Sequence, residues 1–186
     1  MIIGIAGHSG SGKSAAAAIL VQHGFMRQRF AQPLKDMLKA AGLTDEHCDG
    51  NLKEQPCDLL GGKSPRHAMQ TLGTGWGRDM IHPDLWIILW RARAIKSPLV
   101  VVDDVRFHNE AAAIRDLGGV IWRVNRPGYG GDGHVSESYI AGLFADHEID
   151  NSGGLDGLRI QVGAALKLAH LGESNLSLCR TIQPPS

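Results

Sequence analysis

The sequence is short of cysteine and has no excess of charge. Cys48, Cys57 and Cys179 are its three cysteines in 186 residues, too few and too scattered for a disulfide framework. A reducing cytoplasm is the simplest setting. Cys48 and Cys57 lack Cys-x-x-Cys spacing, and the histidines show no metal-ligand spacing, so no zinc site is expected. Lys and Arg together number 19, as do Asp and Glu, giving zero net charge. No global basic field exists for nucleic acid, so any phosphate-binding function must be local. No apolar run is long enough to span a bilayer. No basic n-region precedes the first apolar run, so no signal peptide is expected. Hydrophobic residues at 43% and charged residues at 20% are ordinary for a soluble domain, and the length fits one domain with a substantial core.

What is present begins at Gly7-His8-Ser9-Gly10-Ser11-Gly12-Lys13-Ser14, which fits G-x-x-x-x-G-K-[ST], the phosphate-binding P-loop. Glycines let the turn aim successive N–H groups inward as a nest for phosphate oxygens, and the next helix adds its positive end. Lys13 can reach the β- and γ-phosphates, and the Ser14 hydroxyl can ligate Mg²⁺. The context is right: Met1 to Ala6 reads as a buried strand, and the alanine-rich run from Ser14 to Leu20 reads as a helix.

Further along, His23-Gly24 reads as a helix stop, and Phe25 to Phe30 as a second strand. Pro33 opens a helix with Leu34, Met37, Leu38 and Ala41 on one face. Lys35 in its first turn is unfavourable by the helix dipole; it is either a solvated lysine or one held to meet an anion. Residues 42–63 are polar and aperiodic. Ser64-Pro65 caps a helix that should end at Gly73. Gly73-Thr74-Gly75-Trp76-Gly77 is either backbone brought close to a ligand or a surface turn. Asp84 can cap a largely buried helix over 85–95, in which Trp86 reads as core or as ligand contact.

Pro98 to Asp104 is an apolar, β-branched strand ending in two carboxylates, at the edge that faces the ligand crevice of a parallel sheet. The two point to opposite sides, so that one can serve a metal and the other a substrate; strand geometry leaves open which, with Asp103 the better fit to the metal side. Arg106 lies just past that edge, free to bind phosphate or paired with Asp103 or Asp104. A helix over 109–117 and a strand over 120–124 follow. Arg126 with the glycine-rich run to Gly133 looks like the root of a lid or an inert loop. Residues 134–137 read as a short helix in it. Ile149 to Gly153 reads as a last strand and turn. An amphipathic helix over 155–171 presents Leu155, Leu158, Val162, Ala165, Leu166 and Ala169, and the remainder reads as a loose tail.

Strands alternating with helices indicate an α/β protein. The P-loop strand should be central in a parallel sheet of about five strands, within three α/β/α layers. The P-loop, Phe30 to Lys35, Arg66 with Gln70 to Thr74, Trp86 and Asp103 to Glu110 together resemble the phage-type deoxynucleoside monophosphate kinases of the P-loop nucleoside monophosphate kinase group. The resemblance implies a P-loop NTPase fold over residues 1–171, with a nucleotide-acceptor insertion over about 33–95, a mobile lid over about 126–147 and a tail over 172–186. It implies that Gly10, Ser11, Gly12, Lys13 and Ser14 bind ATP, with Asn151 near the adenine, and that Ser14 and Asp103 hold Mg²⁺. Leu34, Lys35, Arg66, Gly73, Thr74, Trp86, Asp104, Val105, Arg106, Asn109 and Glu110 match positions lining the deoxynucleotide pocket. The catalytic set is Lys13, Arg66, Asp104, Arg106 and the lid residue Arg126. The 42–63 stretch is shorter than its equivalent in some members.

The implied reaction is ATP + dNMP giving ADP + dNDP in the cytoplasm (that of the host for a phage protein), without nucleic-acid or membrane partners. Monomer and homodimer both remain open. The nucleophile would be a phosphate oxygen that is already anionic near neutral pH. Catalysis is then electrostatic, which suits a chain with cations and no nucleophilic triad. The alternatives are a kinase of another phosphorylated acceptor, such as dephospho-CoA, and a nucleotide-hydrolysing switch.

Overall fold

The sheet grows from short runs of branched apolar residues. Strand β1 (Ile2–Ala6) is buried along its whole length, and Val100, Val101 and Val102 of β3 (Val100–Val102) have no exposed surface. With β2 (Met26–Arg27), β4 (Val120–Asn125) and β5 (His147–Asp150) they form one five-stranded sheet in the order β2-β3-β1-β4-β5. All pairings are parallel, and β1 is central, as expected. The computed structural model describes residues 1–129 and 142–180, with backbone alone from 170. Parts of the expected lid, including the 134–137 helix, lie outside the described residues.

Alternation along β1 divides the core into two faces. Ile3 and Ile5 point to helices α1 (Lys13–Gln22) and α7 (Gly154–Arg180), where they meet Ala16, Ala17, Leu20, Leu158 and Val162. Ile2 and Ala6 point to α5 (Leu85–Ala94) and α6 (His108–Asp116), where they meet Ile87, Trp90, Ala111 and Ile114. Both faces of a parallel sheet must be covered, and the three layers follow. Gly4 lets α6 approach closely: a Cβ there would lie 2.6 Å from Ile114 Cδ1. Ala16 and Ala17 serve the same end on the other face.

Several local expectations change. The second strand pairs over Met26–Arg27; past it the Gln28 amide still donates to the Val101 carbonyl, but the Gln28 carbonyl is taken by Trp90 Nε1 and the ladder ends. Helix α2 (Gln32–Ala40) buries Leu34, Lys35 and Leu38 but leaves Met37 exposed, since Lys35 lays its aliphatic stem inward. Residues 42–63 are ordered around α3 (Asp45–Cys48) and a 3₁₀ turn at Asp58–Leu60, with Cys48 and Leu43 buried beneath.

Helix α4 (Pro65–Gln70) starts as expected, the Ser64 hydroxyl accepting from His67 N at 3.3 Å. It does not stop at Gly73. The chain continues as a π-wound helix over Thr71–Ile81. The reason is tertiary: Trp86 Nε1 donates to the Gly73 carbonyl at 2.7 Å, and a Cβ on Gly77 would lie 2.4 Å from Trp86 Cζ2. At α5, Asp84 stands at the N-cap without a side-chain cap bond. Helix α7 buries Leu158, Val162, Ala165 and Leu166, leaves Leu155 exposed, and runs on to Arg180 rather than ending near residue 171. Among the described residues no helix is long and apolar enough to cross a membrane.

Candidate active site

Because Gly4 pairs with Val102, the loop after β1 and the residues after β3 leave the sheet at the same carboxyl edge, where ligands bind in open α/β sheets. The loop after β1 has Gly10 at φ +75 and Gly12 at φ +106, left-handed values that favour glycine. Lys13 Nζ donates back to the Gly7 and His8 carbonyls at 2.7 and 2.6 Å. From below, the buried Asn151 donates to the Ser11 carbonyl at 2.8 Å. On the other side the Tyr129 ring lies against Gly10, with the Arg126 guanidinium 4.5 Å above that ring.

The two carboxylates after β3 do diverge. Asp103 faces the P-loop, accepting from Ser14 Oγ at 3.1 Å. It also accepts from Arg27 Nε at 2.9 Å and Arg29 Nε at 3.0 Å. Burial raises its pKa, but the hydrogen bond from Arg27 and the charges of Arg29 and Arg27 outweigh that and hold it down at about 2. Asp104 turns the other way and accepts from Phe30 N and Ala31 N at 3.0 and 2.9 Å. Both its oxygens therefore hold the turn that starts α2. Burial pushes its pKa up, against those two backbone bonds. Ser14 Oγ and Asp103 are hard oxygen donors side by side. Among the described residues no cluster of three or more His, Cys, Asp or Glu side chains forms a metal cage. That donor set fits Mg²⁺, which takes one or two protein oxygens and leaves the rest to phosphate and water.

Beside this lies a cavity of about 500 Å³ between α2, α4, the π-wound helix and the start of α6. One part is cationic: Lys35, Lys53, Arg66 and Arg106 line it. Burial lowers the Lys53 pKa, and the charges of Lys35, Arg66 and Arg106 lower it further. Such a cluster is relieved by an anion. Arg66 is paired with Glu54 at 2.7 Å, whereas no ion pair holds the exposed Arg106 guanidinium among the described residues. The remainder of the lining is apolar or neutral, with Phe30, Leu34, Met69, Gln70, Trp86 and Phe107. At its floor Glu110, 3% exposed, accepts from Arg106 N at 2.8 Å, Phe107 N at 3.1 Å and Arg78 Nη2 at 3.2 Å. Burial, then the Asp104 charge, lifts its pKa to about 7 against those bonds.

The profile of the deoxynucleotide monophosphate kinase family matches residues 60–162. A protein of Acanthamoeba polyphaga mimivirus named "Putative deoxynucleotide monophosphate kinase" is 38% identical over 158 residues, covering 74% of this chain and 80% of that one. The chain belongs to the deoxynucleotide monophosphate kinase family. The deoxynucleoside-5'-monophosphate kinase of Escherichia phage T5 is 31% identical over 111 residues, 53% of this chain and 44% of that one. The crystal structure of shikimate kinase from Aquifex aeolicus superposes with a TM-score of 0.59 at 12% identity, over 92% of this chain and 99% of that one, which shows the P-loop kinase fold. The protein is thus a kinase with a nucleotide-metabolic role.

Within this family member, the cavity gathers Leu34, Lys35, Arg66, Gly73, Thr74, Trp86, Asp104, Arg106 and Glu110, all expected there. Two expected residues are elsewhere. Val105 has no exposed surface and packs in the core against Gly4. Asn109 donates to Asp84 Oδ1 at 2.8 Å, joining α6 to α5 outside the cavity. Lys35 is neither solvated nor free: it is 8% exposed and paired with Asp49. Arg106 does not pair with Asp103 or Asp104. Lys53, Arg78, Arg27 and Arg29 were missed. Lys53 sits in an aperiodic stretch and the others carry no motif; only the clustering of cations in the fold marks them.

Proposed function

We propose that this kinase moves the γ-phosphoryl group of ATP to the phosphate of a deoxynucleoside monophosphate, giving ADP and a deoxynucleoside diphosphate. The observation that carries this reading is the cationic cavity of Lys35, Lys53, Arg66 and Arg106 opening beside the P-loop, at the edge where Ser14 meets Asp103. One polyphosphate fits the loop and a single phosphate fits the cluster. The acceptor oxygen needs no general base, because a phosphate monoester is already largely ionised near pH 7. The protein's task is to hold two anions together and to balance charge on the group in transit.

Loop N–H groups and Lys13 would take the ATP phosphates, and Lys35, Lys53, Arg66 and Arg106 the acceptor phosphate. Ser14 and Asp103 would hold Mg²⁺, which supplies charge neutralisation on the ATP phosphates when bound. Asp104 positions the turn that starts α2, and Asn151 supports the loop from below. Arg126, stacked on Tyr129 beside Gly10, would complete the charge balance. Trp86, fixed on the Gly73 carbonyl, gives the sugar and base a rigid wall. Residues 33–95 supply most of the acceptor site, and the enzyme works in the cytoplasm.

The test is ADP release from ATP and Mg²⁺ against a panel of dNMPs, the matching NMPs and dephospho-CoA. Stimulation by dNMPs well above NMPs supports the reading. Stimulation by dephospho-CoA alone replaces the acceptor, and basal hydrolysis that no acceptor stimulates rejects acceptor phosphorylation.

A further inference from the structure

A continuous chain of ionic contacts crosses from the P-loop to the acceptor cavity. Ser14 Oγ donates to Asp103 at 3.1 Å. Arg29 Nε donates to Asp103 Oδ1 at 3.0 Å, and Arg29 Nη1 to Asp49 Oδ2 at 3.0 Å. The other Asp49 oxygen is paired with Lys35, which lines the cavity. Arg29 thus holds the carboxylate beside the P-loop and the carboxylate that pairs with a cavity lysine, and its side chain is only 16% exposed. Asp103 is over-supplied with cations, since Arg27 also binds it through Nε at 2.9 Å.

Resting on the reading above, we propose that Arg29 is a positioning residue that couples the two nucleotide sites by shifting its hold between Asp103 and Asp49. The fixed charges dictate the direction. A divalent cation on Asp103 weakens that carboxylate's grip on Arg29. The guanidinium then satisfies more of Asp49. Asp49 in turn loosens its hold on Lys35, whose ammonium becomes free for the acceptor phosphate. Filling the P-loop side therefore tightens the acceptor side, and by linkage the acceptor tightens the nucleotide by the same factor. Each step exchanges one ion pair for another, so the transfer costs little.

The experiment is calorimetric titration of the full-length protein with each of the four dNMPs, without nucleotide and with a saturating non-hydrolysable ATP analogue and Mg²⁺. In the wild type the acceptor Kd is expected to fall by about fivefold or more when the analogue is bound. Arg29→Ala should bring the ratio near one by losing the tight, nucleotide-bound state. Arg27 remains on Asp103, so the P-loop side keeps its charge balance. Asp49→Asn should also bring the ratio near one, but from the other direction. With Lys35 released, its nucleotide-free Kd should approach the wild-type nucleotide-bound value. Asp49 is 43% exposed, Arg29 keeps its bond to Asp103, and the Lys35 ammonium is left facing the cavity it lines. A merely structural role would weaken both states equally and keep the wild-type ratio in either variant, which overturns the proposal. Equal wild-type affinities in both states also overturn it while leaving the acceptor reading intact. No dNMP binding in either state would sink both.

Discussion

Lys13 folds back on its own loop, its Nζ donating to the carbonyls of Gly7 and His8. These contacts keep the ammonium over the loop, where a phosphate brings it an opposite charge that the carbonyls lack. Lys13→Ala should lower kcat by about 100- to 1,000-fold, the usual loss for one donor to the reacting charge. Far-UV circular dichroism and Tm should stay close to wild type. Steady-state kinetics decide it: near-normal turnover would remove the P-loop from the mechanism.

Arg106 differs from Arg66 in that its guanidinium has no ion-pair partner among the described residues, while Arg66 has Glu54. Arg106→Ala should raise KM for the dNMP by about ten- to a hundredfold, the worth of one charge-assisted hydrogen bond, and KM for ATP much less. Equal changes in both constants would contradict its place in the acceptor site.

Asn151 is 6% exposed and spends its amide on the Ser11 carbonyl. Asn151→Ala leaves that carbonyl without this donor, at a cost of about 1–3 kcal/mol. The expected result is a lower Tm and an ATP affinity reduced more than acceptor affinity. A variant with unchanged ATP affinity would free Asn151 from any part in the loop.

Glu110 makes a pH prediction. Its pKa rises from 4.5 to about 7 on folding, so between those values the folded chain holds a proton that the unfolded chain has released. Stability from this group is therefore full below about pH 4.5 and declines as pH rises toward 7. At about 1.4 kcal/mol per pH unit, the change is on the order of 3 kcal/mol. Asp103 works in the opposite sense, its contribution being present above pH 3.8 and lost as pH falls through about 2. Glu110→Gln keeps an oxygen for the Arg106 and Phe107 amides and cannot ionise. Chemical denaturation at pH 5 and pH 7 should show this variant gaining on the wild type as pH rises; a pH-independent difference would contradict the shift.

Gly77 touches the Trp86 ring so closely that Gly77→Ala must move it. Overpacking of this kind costs about 1–3 kcal/mol. Because Trp86 is fixed to Gly73, the acceptor KM should rise as Tm falls. A variant with normal acceptor KM would show that the ring can shift without cost to the pocket.

The residues that could be read from the sequence are those whose meaning is local. The P-loop glycines, Lys13 and Ser14 form a contiguous motif, and the valines of β3 deliver Asp103 to the sheet edge by strand geometry alone. The expected acceptor residues came largely through family resemblance, and Val105 shows the limit of that route: a neighbour of Asp104 in sequence points into the core. Arg29 could not be found in this way, since its partner Asp103 lies 74 positions away. The π-wound helix was equally hidden. Glycine propensity stops a helix at Gly73, but Trp86, 13 residues on, binds the Gly73 carbonyl and needs Gly77 bare, and the winding continues.

The strand order has a consequence for how the protein is made. β1 and β2 come first in the chain, yet they are not neighbours: β3 lies between them. Until residue 102 has emerged from the ribosome, the central strand and its early companion face each other across a gap, with unpaired backbone edges on both sides. Open edges recruit strands from other chains, and the half-made molecule lacks Asp103 to close the P-loop side. Slow synthesis over residues 30–100 would be the most hazardous interval in its production.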